Sequence, residues 1–268
     1  MFRALTIAGS DSCGGAGIQA DLKSFSANGV YGMSVITAIT AQNTMGVFGI
    51  QDVTPEMIEG QINAIFEDIR VDAIKIGMVS KIESIKAIGK SLRSIENLPK
   101  IVLDPVMVST SGYKLLSSDA KETLIEELFP LAELITPNLP EAEEILGCEI
   151  KTLDEMKDAA IKIKELGPKA VLIKGGHLKD ESTDLLFDGE EFVWFKQEKI
   201  NTIHTHGTGC TLSSAIAANL AKNMTLKQAV TEGKKYITCA IEHGFALGKG
   251  TGPTNHFYEL YKKAGMIE

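Results

Sequence analysis

Strand-like and helix-like segments alternate along almost the whole chain, and this alternation constrains the fold more than any other feature. Residues 4–8 (Ala-Leu-Thr-Ile-Ala) read as a buried strand ending at Gly9, followed by a glycine-rich turn and a helix from about Gly17 to Asn28. Residues 33–40 are β-branched and strand-like. Thr54-Pro55 opens a helix with Ile58, Ile62, Ile65, Phe66 and Ile69 on one face. The pattern continues with a strand over 72–76, a helix over 81–95, a strand over 101–104, a helix over about 118–129 and a strand over 132–136. Thr152 and Glu155 form a capping box before a helix that Gly167 ends, and a strand follows over 170–174. Residues 183–196 predict an antiparallel hairpin turning at Asp188-Gly189, and the last quarter is helical.

Parallel strands need long crossovers, and helical crossovers cover the sheet. The alternation therefore predicts an α/β fold: a mostly parallel central sheet with helices on both faces. No linker, repeat or low-complexity tract interrupts it, so residues 1–268 are expected to form a single domain. With 44% hydrophobic and 23% charged residues the chain can bury a core without a disulfide or metal staple. Lys and Arg number 27 against 35 Asp and Glu, a net charge of −8, which speaks against nucleic-acid and acidic-membrane surfaces as partners. Cys13, Cys148, Cys210 and Cys239 lack C-x-x-C spacing, and no stretch approaches a signal peptide or a membrane span. The expected compartment is reducing and cytoplasmic.

In such sheets ligands sit at the carboxyl ends of the strands. The loop Gly9-Ser10-Asp11-Ser12-Cys13-Gly14-Gly15-Ala16-Gly17 lets backbone approach a ligand closely. Its Gly15-Ala16-Gly17-Ile18-Gln19-Ala20 stretch matches a dinucleotide fingerprint, but the second strand ends in Ala41-Gln42-Asn43, without the acid that would hold a ribose. No P-loop is present, and Cys13 reads as a small space-filling residue. Thr205-His206-Gly207-Thr208-Gly209-Cys210 opens a helix, so that Gly207, Thr208 and Gly209 form an anion hole at the positive end of the helix dipole. Cys210, in the first turn, is expected to have a lowered thiol pKa and to serve as a base. A zinc site from His204, His206 and Cys210 matches no common ligand spacing. Asp104, Asn138 and Glu141 end two strands with oxygen ligands suited to Mg²⁺, and Lys174 places an ammonium at a third.

Together these residues resemble a known family. Ala8 to Asp11, Gly14 to Asp21, Ala41-Gln42-Asn43-Thr44, Asp104-Pro105-Val106-Met107, Thr136 to Ala142, Lys174-Gly175-Gly176-His177 and Thr205 to Cys210 resemble the hydroxymethylpyrimidine/phosphomethylpyrimidine kinases of thiamine biosynthesis, in order and over essentially the whole chain. These belong to the ribokinase-like superfamily. The resemblance implies a three-layer α/β/α fold and a kinase that uses ATP and Mg²⁺. Such an enzyme phosphorylates 4-amino-5-hydroxymethyl-2-methylpyrimidine and then its monophosphate, commonly as a homodimer. It further implies that Gly9, Asp21, Gln42, Met78 and Val106 surround the pyrimidine. Asn138 and Glu141 would form the N-x-x-E element that organises metal and nucleotide phosphate, with Asp104 beside Glu141 at the metal. Lys174, Thr208 and Gly209 would meet the ATP phosphates, and Cys210 would be the base, where sugar kinases carry Asp. The alternative is a pyridoxal kinase of the same subfamily. Those resembled members tend to lack Ala-Gln-Asn-Thr and to carry a second Cys after Pro-Val-Met-Val, where this chain has Ser109-Thr110-Ser111-Gly112. A catalytically dead sensing module would be expected to have lost Cys210, Lys174 or Glu141, and none is lost.

Overall fold

The computed structural model describes residues 1–108, 112, 115–117, 119–175 and 182–267. The Ser109-Thr110-Ser111 segment and the Gly176-His177 end of the lysine motif lie outside the described residues. The strands are β1 (Arg3–Ala8), β2 (Tyr31–Ile36), β3 (Ala38–Asn43), β4 (Gly46–Asp52), β5 (Ala73–Ile76), β6 (Lys100–Leu103), β7 (Leu134–Ile135), β8 (Val171–Ile173), β9 (Ser182–Phe187) and β10 (Phe192–Gln197). The helices are α1 (Gly17–Ala27), α2 (Pro55–Asp68), α3 (Ile82–Arg93), α4 (Lys121–Leu128), α5 (Leu139–Leu146), α6 (Leu153–Glu165), α7 (Thr208–Ala221), α8 (Leu226–Glu242) and α9 (Tyr258–Lys263).

Eight strands form one sheet in the order β10-β9-β8-β7-β6-β5-β1-β2. β1, β2, β5, β6, β7 and β8 run parallel, and the β9–β10 hairpin adds an antiparallel edge. Because successive side chains point to opposite faces, each strand feeds two cores. Leu5, Ile7, Ile74, Ile76, Ile101 and Leu103 pack under α2 to α6, against Ile58, Ile62, Ile85, Ile88, Leu92 and Ile163. Ala4, Ala73, Val102, Leu134 and Leu172 face Phe25 of α1, Leu212 and Ile216 of α7, and Val230 and Ile237 of α8. The result is the expected three-layer α/β/α arrangement. The chain steps from β1 out to β2 and returns to β5 on the other side of β1. A crevice thus opens at the strand ends near this reversal.

The strand expected over 33–40 is two strands. The chain breaks at Thr37, whose N–H donates to the Ala8 carbonyl (3.0 Å) and whose hydroxyl donates to the Met78 carbonyl (2.7 Å). β2 stays in the sheet, while β3 leaves it and pairs antiparallel with β4, a strand the periodicity did not reveal. Both halves are equally β-prone, so the bend is fixed by tertiary hydrogen bonds.

Candidate active site

The elements converge on a cavity of about 660 Å³, within the usual range for a small-molecule site. Asp104, Asn138, Glu141, Lys174 and Gly207 to Cys210 line it, together with Gln42, Met78 and Val106. Gly9 lies behind Met78, where a Cβ would come within 3.1 Å of the Met78 sulfur. The strand-end residues thus meet at one edge of the sheet.

α7 supplies the glycine-rich turn expected to form an anion hole. Its N-cap, Gly207, has φ +78°, and a Cβ there would fall 1.8 Å from the Gly15 carbonyl oxygen, so the two glycine-rich loops touch backbone to backbone. No acidic residue occupies the first turn, and the N–H groups of Gly209 and Cys210 lie beyond the reach of any intrahelical acceptor. Gly209 is in turn close to the charged pair beside it: a Cβ there would lie 3.3 Å from Lys174 Nζ and 3.4 Å from Asp104 Oδ2.

Lys174 Nζ stands 2.9 Å from Asp104 Oδ1, which also accepts from the Thr136 hydroxyl at 3.0 Å. Burial opposes the charge on both, yet each holds the other ionised: Asp104 sits below the usual carboxylate range beside Lys174 and Lys75, and Lys174 above the usual lysine value beside Asp104 and Glu141. Asn138 and Glu141 turn out to be the capping box of α5. Glu141 N–H donates to Asn138 Oδ1 and Asn138 N–H donates to Glu141 Oε2, both at 2.8 Å. Burial, reinforced by Asp104 and opposed by Lys174, pushes the Glu141 carboxyl up to about 7.

Two expectations are corrected. The Cys210 thiol is pushed up, to about 11, rather than lowered. Burial is the main cause and the Asp21 and Asp104 charges add to it, while Lys75 and the Gly17 N–H oppose. Asp21, expected against the pyrimidine, is fully buried and does not line the cavity. Lys75 Nζ lies 2.9 Å from both its oxygens, the Thr6 hydroxyl donates to Oδ2 at 2.7 Å and the Ser214 hydroxyl to Oδ1 at 2.6 Å. On β5 and β1 the period of two turns Lys75 and Thr6 toward the α1 and α7 face, where Asp21 waits. Lys75 was missed although a lone lysine inside Ala73-Ile74-Lys75-Ile76 signals a buried cation in need of a partner. Lys234 also escaped notice; its Nζ lies 2.6 Å from Asp184 Oδ2, and both residues line the cavity.

Gln42 sits on β3 at a register shift between Ala41 and Gln42, a bulge that re-aims the side chain into the cavity. Its backbone is clamped by Ser12, whose Oγ accepts from the Gln42 N–H at 2.8 Å and donates to its carbonyl at 2.7 Å. His204, His206 and Cys210 do not assemble. His206 Nε2 faces Asp11, while the Cys210 thiol faces the Gly17 N–H, and His204 packs on Gly252.

The sequence profile of the phosphomethylpyrimidine kinase family matches residues 11–255. The chain is 54% identical over 263 residues to the hydroxymethylpyrimidine/phosphomethylpyrimidine kinase of Rhizobium meliloti (strain 1021), covering 97% of this chain and 98% of the relative. The solved phosphomethylpyrimidine kinase of Clostridium difficile 630 superposes with a TM-score of 0.80 at 54% identity, over 89% of this chain and 98% of the other. Bacillus subtilis pyridoxal kinase, solved as an ADP complex, superposes with a TM-score of 0.89 at 42% identity, over 97% of this chain and 99% of the other.

Proposed function

The chain belongs to the phosphomethylpyrimidine kinase family, and from that premise we propose that it transfers the γ-phosphoryl group of ATP to 4-amino-5-hydroxymethyl-2-methylpyrimidine and then to the resulting monophosphate, as a single domain over residues 1–268. The observation that carries the reading is the first turn of α7, whose Gly209 and Cys210 N–H groups open onto the cavity beside the Lys174–Asp104 pair. Phosphoryl transfer builds charge on the phosphate oxygens and needs positioned donors and cations more than covalent chemistry. Lys174 supplies the cation and the α7 turn the donors.

Cys210 takes the hydroxymethyl proton. Burial holds its thiol protonated, with a pKa pushed up to about 11, so the proton moves late, as the phosphoryl group arrives. Gln42 reads the aminopyrimidine edge, since a side-chain amide offers both a donor and an acceptor. Met78 and Val106 enclose the ring.

The donor set fits Mg²⁺. Among the described residues Asp104 Oδ2 has only a long contact, 3.5 Å, with the Ser213 hydroxyl, and burial and the Asp104 charge outweigh Lys174 in raising the Glu141 carboxyl, so a second cation there would be stabilising. Asp104 and Glu141 would hold the ion, directly or through water, and it would neutralise charge on the nucleotide phosphates. A homodimer is supported by Ile39 and Phe48, 54% and 70% exposed on the β3–β4 flap. The four cysteines are unpaired, which accords with a reducing, cytoplasmic setting, and no described helix is long and apolar enough to cross a membrane.

The TM-score of 0.89 to a pyridoxal kinase favours pyridoxal as a second substrate class. ATP consumption measured with hydroxymethylpyrimidine, its phosphate and pyridoxal tests both readings. The expected kcat/KM for the pyrimidine exceeds that for pyridoxal by at least about tenfold. Gln42→Leu should erase most of that margin, since a buried group losing its partner costs about 1–3 kcal/mol. Pyridoxal as the better substrate, or an equal loss for both, overturns the assignment.

A further inference from the structure

The first glycine-rich loop and the α7 turn meet in a second cluster, on the wall of the same cavity, to which the phosphoryl transfer described above gives no role. Asp11 Oδ2 lies 2.8 Å from His206 Nε2, and Cys13 Sγ lies 3.5 Å from Asp11 Oδ2 and 3.7 Å from His206 Nε2. Among the described residues this is the one group of three or more such side chains whose ligand atoms all fall within 4.8 Å of one another. We propose that Asp11, Cys13 and His206 bind a divalent zinc-type ion that clamps the first loop to the α7 turn. This site is separate from the Mg²⁺ assigned to Asp104 and Glu141 and does not depend on the kinase reading.

The geometry carries the assignment. Around a tetrahedral zinc, with Zn–S about 2.3 Å and Zn–N and Zn–O about 2.0–2.1 Å, ligand atoms stand roughly 3.3–3.6 Å apart. The two edges that meet at Cys13 already have nearly this length. The third, Asp11 to His206, is shorter because a hydrogen bond spans it, and it opens by about half an ångström when the metal replaces the proton. The carboxylate is fixed in advance. Asp11 Oδ2 accepts from the Gly15 N–H (3.0 Å) and the Ala16 N–H (2.8 Å), and Oδ1 accepts from the Cys13 N–H (3.0 Å). The imidazole is wedged against Gly15, where a Cβ would come 2.3 Å from His206 Cδ2.

The charges also close. A carboxylate, a thiolate and a neutral imidazole balance a divalent cation in a site where Asp11 and His206 are buried and Cys13 is half-buried. On binding, the thiol proton leaves to solvent and the ring proton that bridged to Asp11 shifts from Nε2 to Nδ1, freeing Nε2 for the metal. Water completes the fourth position. A mixed sulfur, nitrogen and oxygen set suits zinc over magnesium or calcium.

The test is a Co²⁺ titration of the full chain in the absence of nucleotide, followed by competition with Zn²⁺. The expected result is one equivalent of Co²⁺ with a thiolate-to-cobalt charge-transfer band and tetrahedral d–d intensity, displaced by Zn²⁺. Cys13→Ser keeps the size and the hydrogen bonds of the side chain, so it should fold and keep its basal kinase activity. It should lose the band and bind at least about tenfold more weakly, since even outer-shell losses cost that much. Cys210→Ser should keep the band. Zn²⁺ should raise the Tm of the wild type in a concentration-dependent way, and this shift should vanish in Cys13→Ser. No thiolate band in the wild type, or a band or Tm shift that survives Cys13→Ser, overturns the site.

Discussion

Two lysine–aspartate pairs flank the start of α7, built from the same parts and finished differently. Lys75–Asp21 and Lys174–Asp104 both have N–O distances of 2.9 Å. Each aspartate also accepts from a threonine, Thr6 or Thr136, and each faces one of two adjacent serines of α7, Ser214 or Ser213. The Ser214 hydroxyl closes on Asp21 at 2.6 Å, whereas the Ser213 hydroxyl stays 3.5 Å from Asp104. Lys75 and Asp21 have no exposed side-chain surface, while the Lys174 side chain keeps 16% of its own, facing the cavity. The sealed pair fastens α1, β5 and α7 to one another. The open pair keeps unspent hydrogen-bonding capacity where a ligand must arrive, and Cys210 lies between the two fields.

The largest effect should come from that residue between them. Cys210→Ala is expected to lower kcat by about 10²–10⁴ with a much smaller change in KM, measured by steady-state kinetics. Near-normal turnover would leave the α7 donors and Lys174 as the whole catalytic apparatus. Breaking the sealed pair should read out in stability. Lys75→Met leaves Asp21 buried and uncompensated and should destabilise the fold by about 3–5 kcal/mol in denaturant titrations. The double variant Lys75→Met with Asp21→Asn should recover most of this, because no lone charge remains. If the double variant is as unstable as the single one, the pair is not what fastens these elements.

Breaking the open pair should instead read out in rate. Lys174→Met is expected to lower kcat/KM by about 10²–10³ while Tm moves by only a few degrees, since Asp104, though buried, keeps the Lys75 charge and the Thr136 hydroxyl as partners. A Tm loss as large as that of Lys75→Met would erase the distinction between the pairs. The smallest effect concerns Glu141, at the rim of the open pair. Its carboxyl is raised to about 7, so the folded state binds more protons than the unfolded chain between roughly pH 4.5 and 7. Its contribution is therefore present at the acid end and lost as pH rises through that window, at no more than about 1.4 kcal/mol per pH unit for one proton. Glu141→Gln should flatten this slope in stability measured without nucleotide or Mg²⁺, and an unchanged slope would assign it to another group.

Much of this was legible from local pattern. The Thr54 and Thr152 caps are formed, the stripe Ile85, Ile88 and Leu92 is buried, and the hairpin turns where Asp188-Gly189 places it, with Gly189 at φ +101°. The caps and the turn rest on interactions within a few residues, and the stripe follows from helical period. The Asn138–Glu141 pair was read as a metal and phosphate element, but Asn-x-x-Glu before an apolar run is also a capping signal, and the helix start uses it as one. The expectations that failed all concerned side chains whose surroundings come from distant segments. The strand over 33–40 broke because Thr37 bonds to Ala8 and Met78.

What the chain's order of residues determined by itself was the series of elements, their caps and the sheet edge on which polar residues gather, because hydrophobic period and capping chemistry act over one or two turns. What the tertiary structure alone decided was which charge faces which. Asp21 meets Lys75 across 54 positions and Ser214 across 193, Lys174 meets Asp104 across 70, and His206 meets Asp11 across 195. A helix dipole argued from the α7 turn alone gave Cys210 a low pKa, but burial, with Asp21 and Asp104 adding to it, reversed the sign. Desolvation and Coulomb energies depend on depth and distance in space, and neither is written in local spacing.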